Sequence, residues 1–127
     1  MSAVKHHSPR FLAIVEDAKK RIHEIDIEEY KRLRAAGEAG QLVDVREESE
    51  FAAMHAEGAV HLSKGVMERD IETRFPDQDT KLVLYCGGGF RSALATDNLQ
   101  KMGYRNVISL DGGWRAIEAS GLPLSKD

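Results

Sequence analysis

The sequence predicts an α/β fold in which a central parallel sheet of about five strands has helices on both faces. Two patterns carry this prediction. Short apolar runs of strand length alternate along the chain with segments of helical spacing, and the runs are apolar at consecutive positions, as in strands buried on both faces. Strands that alternate with helices imply right-handed crossovers and therefore a parallel sheet. The 127 residues suit one compact domain.

The chain opens with a predicted amphipathic helix. Ser8 and Pro9 are residue types typical of the N-cap and the first helical position. Apolar residues then recur on one helical face, at Phe11, Val15, Ala18 and Ile22. Such a stripe usually packs on its own domain rather than on a partner or a membrane. We interpret residues 1–23 as an N-terminal helical extension and residues 24–127 as the main domain.

A second helix is predicted after Asp26, because Asp26 followed by Glu29 resembles a capping box. Gly37 is its predicted end. Beyond it, buried strands are predicted at 42–45 (LVDV), 59–62 (AVHL), 81–85 (KLVLY) and 106–110 (NVISL), with a further short strand near Glu24 and Ile25. Helices are predicted to begin near Ser49, Val66, Arg91 and Gly113, with Gly103 and Gly121 as helix ends.

Composition excludes several classes of partner. Eighteen basic and twenty-one acidic side chains give a net charge of -3, so neither nucleic acid nor an anionic membrane is favoured. No apolar run approaches the length of a membrane helix, and the N-terminal stretch is too charged for a secretory signal. The single cysteine permits no internal disulfide and suits a reducing compartment. We therefore expect a cytoplasmic protein.

That cysteine stands in the segment YCGGGFRS, directly after a predicted strand. Ligands of such sheets gather beyond the carboxyl ends of the strands, so we expect Cys86 at the rim and not in the core. Glycines allow successive N–H groups to point inward, and these donors, with the positive end of the following helix, favour the nucleophilic thiolate. Arg91 adds a fixed positive charge that can hold an oxyanion. A small buried cysteine before a plain turn is the alternative interpretation.

Four segments of the chain resemble the signatures of single-domain rhodaneses, a family of sulfurtransferases that carry sulfur as a cysteine persulfide. The resemblance spans residues 24 to 124 and rests on LVDVREESEF (42–51), MHAEGAVHL (54–62), LYCGGGFRS and LDGGWRAIEASGLPL, in the family's order. It implies a three-layer rhodanese-like fold. It also implies that sulfane sulfur is transferred from a donor such as thiosulfate to cyanide or a thiol, and the thiol can belong to a small molecule or to a protein. The resemblance implies no metal and no cofactor.

The resemblance also assigns residues. Cys86 would carry the sulfur. The backbone of Gly87, Gly88, Gly89, Phe90 and Arg91 would cradle it, and the Arg91 side chain would help bind an anionic donor. Asp44 and Arg46 would support the loop through charge-assisted hydrogen bonds.

The chain departs from the family pattern at three positions. Gly87 stands where the family often has a second basic residue, Met54 where it usually has glycine, and Ser63 where proline is common. The first departure leaves Arg91 as the loop's only charge and predicts poor affinity for thiosulfate. The sequence does not decide whether Phe90 forms an apolar lip beside the sulfur or packs under the loop.

Two other functions stay open. A cysteine-dependent phosphatase or arsenate reductase is disfavoured, because C-x-x-x-x-R is one residue shorter than the phosphate-binding C-x-x-x-x-x-R loop. A sulfur-carrier, redox-sensing or partner-binding module with little turnover is the stronger alternative, since no second cysteine can resolve an intermediate. The oligomeric state is left open.

The remaining candidate residues are predicted to be structural. His55 and His61 lie among apolar neighbours and are expected to make structural hydrogen bonds rather than serve as bases. No further ligands are evident that would make a metal site with His6 and His7. Trp114 is expected to cover the sheet rather than anchor a partner.

Overall fold

A computed structural model of the chain describes residues 7–127. His6 and the preceding residues of the predicted N-terminal extension lie outside this range. The α-helices are α1 (Pro9–Lys19), α2 (Ile27–Ala35), α3 (Glu48–Ala53), α4 (Met67–Arg74), α5 (Phe90–Lys101) and α6 (Gly113–Ser120), and a 3₁₀ turn covers Lys64–Val66. The strands are β1 (His23–Ile25), β2 (Gln41–Asp44), β3 (His55–Ala56), β4 (Val60–His61), β5 (Leu82–Tyr85), β6 (Val107–Leu110) and β7 (Leu124–Ser125).

The main sheet has five strands in the order β1-β6-β5-β2-β4, and every neighbouring pair is parallel. This confirms the predicted parallel α/β sheet. Tyr85, the last residue of the central strand β5, lies beside Asp44, the last residue of β2. The strands therefore end together at one edge, and the loops that follow them meet there.

Successive side chains along a strand point to opposite faces of the sheet, and this alternation divides the core into two layers. In β5, Leu82 and Leu84 point into one apolar cluster, whereas Val83 and Tyr85 point into the other. The first cluster includes residues of α4 and α5, and the second includes residues of α2 and α6. Both faces are thus covered, which explains why the strands are apolar at consecutive positions.

A second, antiparallel sheet joins β3 to β7, with His55 opposite Ser125 and Ala56 opposite Leu124. The sequence does not predict this second sheet. Strands of two residues are too short to show a period in the sequence, and their pairing depends on how the chain end returns to the domain. The predicted strand at 59–62 is likewise reduced to the two residues of β4.

The N-terminal helix packs against α5. Val15 and Ala18 of its predicted apolar face are buried, whereas Ile22 follows the helix instead of belonging to it. Arg21 donates two hydrogen bonds to the carboxylate of Asp97 on α5, at 3.0 and 2.8 Å. Within residues 7–127, none of the helices combines the length and apolar character that crossing a bilayer requires.

Candidate active site around Cys86

Cys86 follows β5 and begins the loop that leads into α5. It lies at the expected edge of the sheet but is only 1% exposed and packs within a core cluster. The predicted position at the edge of the sheet is therefore correct, whereas the prediction that Cys86 lies outside the core is wrong. The residue nevertheless lines a pocket of about 470 Å³, so the thiol lies at the floor of a cleft.

Two backbone N–H groups donate to the sulfur. The N–H of Gly89 lies 3.1 Å from Cys86 Sγ, and the N–H of Ser92 lies 3.4 Å from it. Gly89 has a φ of 103°, which a residue with a side chain rarely adopts, and this conformation lets the chain turn into α5 above the sulfur. The loop therefore presents donors to the atom that would carry negative charge.

The other amides of the loop are available to a ligand. Within residues 7–127, the N–H groups of Gly87, Gly88, Phe90 and Arg91 donate to no protein acceptor. All four residues line the pocket, and two of them form the first turn of α5. Unpaired amides at a helix N-terminus attract anions because the helix dipole adds to their own partial charge.

Ser92 and Ser109 form a buried hydroxyl pair that the sequence analysis did not identify. Ser92 Oγ lies 3.6 Å from Cys86 Sγ and 2.9 Å from Ser109 Oγ, and both serines are fully buried. Ser109 belongs to β6, whose pairing with β5 brings it behind the loop. The serine after Arg91 was visible in the motif, but its partner became evident only with the sheet register.

Arg91 lies over the loop and pairs with Glu50 of α3, with Nη1 3.5 Å from Oε1. Its side chain is 35% exposed and lines the pocket. A side-chain carbon at position 87 would lie 3.4 Å from Arg91 Nη2. Because the guanidinium occupies this space, a long basic residue in place of Gly87 would compete with Arg91.

Arg115 supplies a second cation to the same pocket, from α6 rather than from the loop. Backbone hydrogen bonds join α6 to the loop: the N–H of Trp114 donates to the carbonyl of Cys86 at 2.7 Å, and the N–H of Arg115 donates to that of Gly87 at 3.2 Å. The sequence does not reveal Arg115 as a pocket residue, since only the packing of α6 on the loop places it there.

Asp44 and Arg46 form a buried ion pair beneath α6. Arg46 Nη2 lies 2.8 Å from Asp44 Oδ2, and the guanidinium also donates to the carbonyl of Met54 at 2.7 Å. Burial lowers the pKa of Arg46, but the hydrogen bonds and charge of Asp44 outweigh this effect and raise it above its ordinary value. Among the described residues, neither side chain hydrogen-bonds to the loop.

Aromatic rings connect this pair to the loop. The Arg46 guanidinium lies 4.4 Å from the centre of the Trp114 ring and 5.7 Å from that of Tyr85. Burial and the neighbouring Asp44 raise the pKa of Tyr85, whose hydroxyl accepts the N–H of Ala56 at 3.2 Å. Trp114 is half-buried and packs against the second core cluster, as expected of a residue that covers the sheet.

The two histidines near this region have structural contacts. His55 Nδ1 lies 2.8 Å from the carbonyl oxygen of Phe51, and the two rings stack at 3.6 Å. His61 Nε2 lies 2.8 Å from the carbonyl oxygen of Arg46. Their structural interpretation agrees with the geometry. Across residues 7–127, no group of three or more potential ligands could hold a metal ion.

The model of one protein family, described as the rhodanese-like domain, matches residues 26–120. Among curated proteins, the chain is 34% identical over 83 residues to "Thiosulfate sulfurtransferase GlpE" of Vibrio cholerae serotype O1, covering 65% of this chain and 76% of that protein. It is 30% identical over 94 residues to "Putative sulfur carrier protein YrkF" of Bacillus subtilis (strain 168). That match covers 74% of this chain but only 50% of the Bacillus protein.

Among solved structures, a protein of unknown function from Rhodopseudomonas palustris CGA009, described as a possible tyrosine phosphatase, matches with a TM-score of 0.83 and 27% identity. The match covers 98% of this chain and 99% of the other. It therefore extends over the N-terminal helix, which the family model does not include.

Proposed function

This chain belongs to the rhodanese-like domain family, and we propose that it moves sulfane sulfur from an anionic donor such as thiosulfate to a thiol or cyanide through a persulfide on Cys86. One observation carries the proposal: the N–H groups of Gly89 and Ser92 donate to the Cys86 sulfur at the floor of an open pocket. Donors at these distances stabilise a thiolate, the form that attacks sulfur.

The reaction proceeds in two steps. The Cys86 thiolate attacks the outer sulfur of thiosulfate, the sulfur–sulfur bond of the donor breaks, and sulfite leaves with the electron pair. The acceptor then attacks the outer sulfur of the persulfide and regenerates the Cys86 thiolate. Sulfur is exchanged between nucleophiles, so neither step needs an external oxidant or reductant.

The residues around the sulfur have distinct roles in this proposal. The amides of Gly87, Gly88, Phe90 and Arg91 bind the outer sulfur and the anionic donor, because they have no protein acceptor within the described chain. The guanidinium groups of Arg91 and Arg115 offset the donor's negative charge. Gly89, together with Ser92, holds the sulfur of the cysteine itself.

Asp44 and Arg46 act as positioning residues. Arg46 packs on the ring of Trp114. The backbone N–H of Trp114 donates to the carbonyl of Cys86. The pair thus supports the start of the loop through α6. It does not contact the place where the donor would bind, so its loss should act through the position of the loop.

The names of two relatives support the proposal that the chain receives and passes on sulfur. One is named a thiosulfate sulfurtransferase and another a sulfur carrier, and a persulfide on cysteine serves either role. The acceptor is a small thiol, cyanide or the thiol of a protein. A cytoplasmic location, where thiols stay reduced, completes the proposal.

Mass spectrometry of the purified protein tests the proposal. After incubation with thiosulfate, Cys86 should gain one sulfur atom, and added cyanide should remove it with formation of thiocyanate. Cys86→Ser is the matched control and should gain none. Absence of sulfur on Cys86 with thiosulfate and with organic donors would refute the transfer.

A sulfur carrier with little turnover is the second candidate. One relative is named "Putative sulfur carrier protein YrkF", and the chain has no second cysteine that could take the sulfur from Cys86. Stable loading of Cys86 with negligible thiocyanate formation would identify this function. Phosphatase activity is disfavoured by the short loop. Release of phosphate from an aryl phosphate, without formation of a persulfide on Cys86, would favour phosphatase activity over sulfur transfer.

A further inference from the structure

The N-terminal segment supplies one wall of the pocket around Cys86. His7 and Phe11 line the pocket together with Phe90. The ring centres of His7 and Phe90 are 4.5 Å apart, those of His7 and Phe11 are 5.3 Å apart, and those of Phe11 and Phe90 are 6.3 Å apart. These three residues form an aromatic wall beside the sulfur.

The aromatic wall is not required to hold the helix on the domain. Val15 and Ala18, each 1% exposed, make the buried face of α1, and Arg21 binds Asp97 beyond the end of the helix. His7 precedes α1, and Phe11 is only half-buried. The rings therefore keep apolar surface turned to the pocket.

The pocket is larger than a small inorganic anion needs. Its volume of about 470 Å³ lies within the range of clefts that hold organic ligands. Arg91, Arg115 and the loop amides provide binding for an anionic group, whereas the aromatic wall offers binding for an apolar one. The two kinds of surface meet in one cleft, so a ligand that carries both groups would use all of it.

We propose that the preferred sulfur donors are organic thiosulfonates, in which an anionic thiosulfonate head is joined to an aromatic or other apolar body. This inference rests on the proposed function of Cys86. The head lies among the loop amides and cations, and the body packs on His7, Phe11 and Phe90. Inorganic thiosulfate, which has no apolar body, leaves the aromatic wall unused.

The chemical step balances without a further reactant. The Cys86 thiolate attacks the terminal sulfur of the thiosulfonate, and a bond forms between Sγ and that sulfur. The sulfur–sulfur bond of the donor breaks, and the organic sulfinate leaves with the electron pair. The product is the same Cys86 persulfide that thiosulfate would give, but the two donors expel different leaving groups. The contribution of the aromatic wall is therefore measured by the change in donor preference when its residues are replaced.

The experiment compares benzenethiosulfonate with thiosulfate as donors to the full chain. Loading of Cys86 is followed by mass, and kcat/KM is obtained with cyanide as acceptor. We expect kcat/KM to be at least about tenfold higher for benzenethiosulfonate, because burial of its ring removes apolar surface from water. Phe11→Ala should lower this ratio several-fold.

His7→Ala is the second variant, and because His7 precedes α1 its replacement leaves the helix sequence intact. Ile14→Ala is the matched control, since Ile14 is an apolar residue of the same helix that is 55% exposed and lies outside this pocket. It should keep the ratio of the unaltered protein. Thermal unfolding establishes that each variant is folded.

Three results would overturn the inference. Equal values of kcat/KM for the two donors are one, and a ratio that persists in folded Phe11→Ala and His7→Ala is another. The third is a preference for aromatic compounds that appears only among the thiols that accept sulfur from the persulfide. In that case the aromatic wall binds the acceptor instead of the donor. Failure of both donors to load Cys86 would overturn the proposed function itself.

Discussion

The guanidinium of Arg46 lies 4.4 Å from the centre of the Trp114 ring, and this contact connects a buried ion pair to the loop that carries Cys86. Trp114 is the second residue of α6, and its N–H donates to the carbonyl of Cys86. Asp44 holds Arg46 in place from the end of β2. We therefore expect the position of the loop to depend on two residues that do not contact its sulfur.

Arg46→Ala should destabilise the domain by about 3–5 kcal/mol, because it leaves the carboxylate of Asp44 buried without its counter-charge. Urea unfolding measures the effect. Arg69→Ala is the matched control, because Arg69 pairs with Asp70 at the surface, and it should change stability little. The double variant Asp44→Asn/Arg46→Met should lose less than the single variants predict. Near-normal stability of Arg46→Ala would contradict this account.

Arg115→Gln should raise KM for thiosulfate by about three- to tenfold and change kcat less, because a cation beside the donor site strengthens anion binding. The increase should shrink at high salt, which screens the charge. Arg34→Gln serves as control, since Arg34 is exposed and lines a different cleft. An unchanged KM in Arg115→Gln would show that Arg91 and the amides suffice.

Gly113→Ala should both destabilise the protein and impair sulfur loading. Gly113 has a φ of 48°, and an added Cβ would overlap the carbonyl oxygen of Cys86 and lie 3.0 Å from the backbone of Gly87. We expect a loss of more than about 3 kcal/mol.

Gly121→Ala isolates the effect of backbone strain, because Gly121 has a φ of 83° but open space around its Cβ position. It should cost only about 1–2 kcal/mol and leave loading intact. Similar losses in both variants would mean that contact with the loop is unimportant. Denaturant unfolding and mass analysis of Cys86 provide the two measurements.

Stability should fall in acid as the ion pair between Arg21 and Asp97 is lost. Hydrogen bonds from Arg21 lower the pKa of Asp97 below its ordinary value, against the opposing effect of burial. A carboxylate with a lowered folded pKa stabilises the protein above its unfolded pKa of about 3.9. That contribution disappears as the pH falls through the lower folded value.

Asp97→Asn should therefore be less stable at pH 7 and should lose less stability below about pH 4 than the unaltered protein. Thermal unfolding at several pH values measures both effects. Asp127→Asn, an exposed substitution at the chain end, is the control and should follow the unaltered curve. Identical acid profiles for Asp97→Asn and the unaltered protein would refute the assignment.

Local patterns were sufficient to predict most elements. The apolar runs at 81–85 and 106–110 became β5 and β6 with boundaries shifted by one residue at most. Asp26 caps α2, with its carboxylate accepting the N–H of Glu29 at 2.9 Å. Such signals are read within a few residues of the chain. The pairing of β3 with β7 was missed because it joins distant segments.

The amino-acid sequence by itself determined the alternation of strands and helices, the single cysteine at the end of a strand, and the glycines and arginine of its loop. These depend on local preferences of the backbone and on burial of apolar runs. Only the tertiary structure decided that Cys86 is buried at the floor of a pocket and that Arg115, Phe11 and His7 reach it. The reason is physical: such neighbours come from separate elements, and their meeting depends on how helices pack around the sheet.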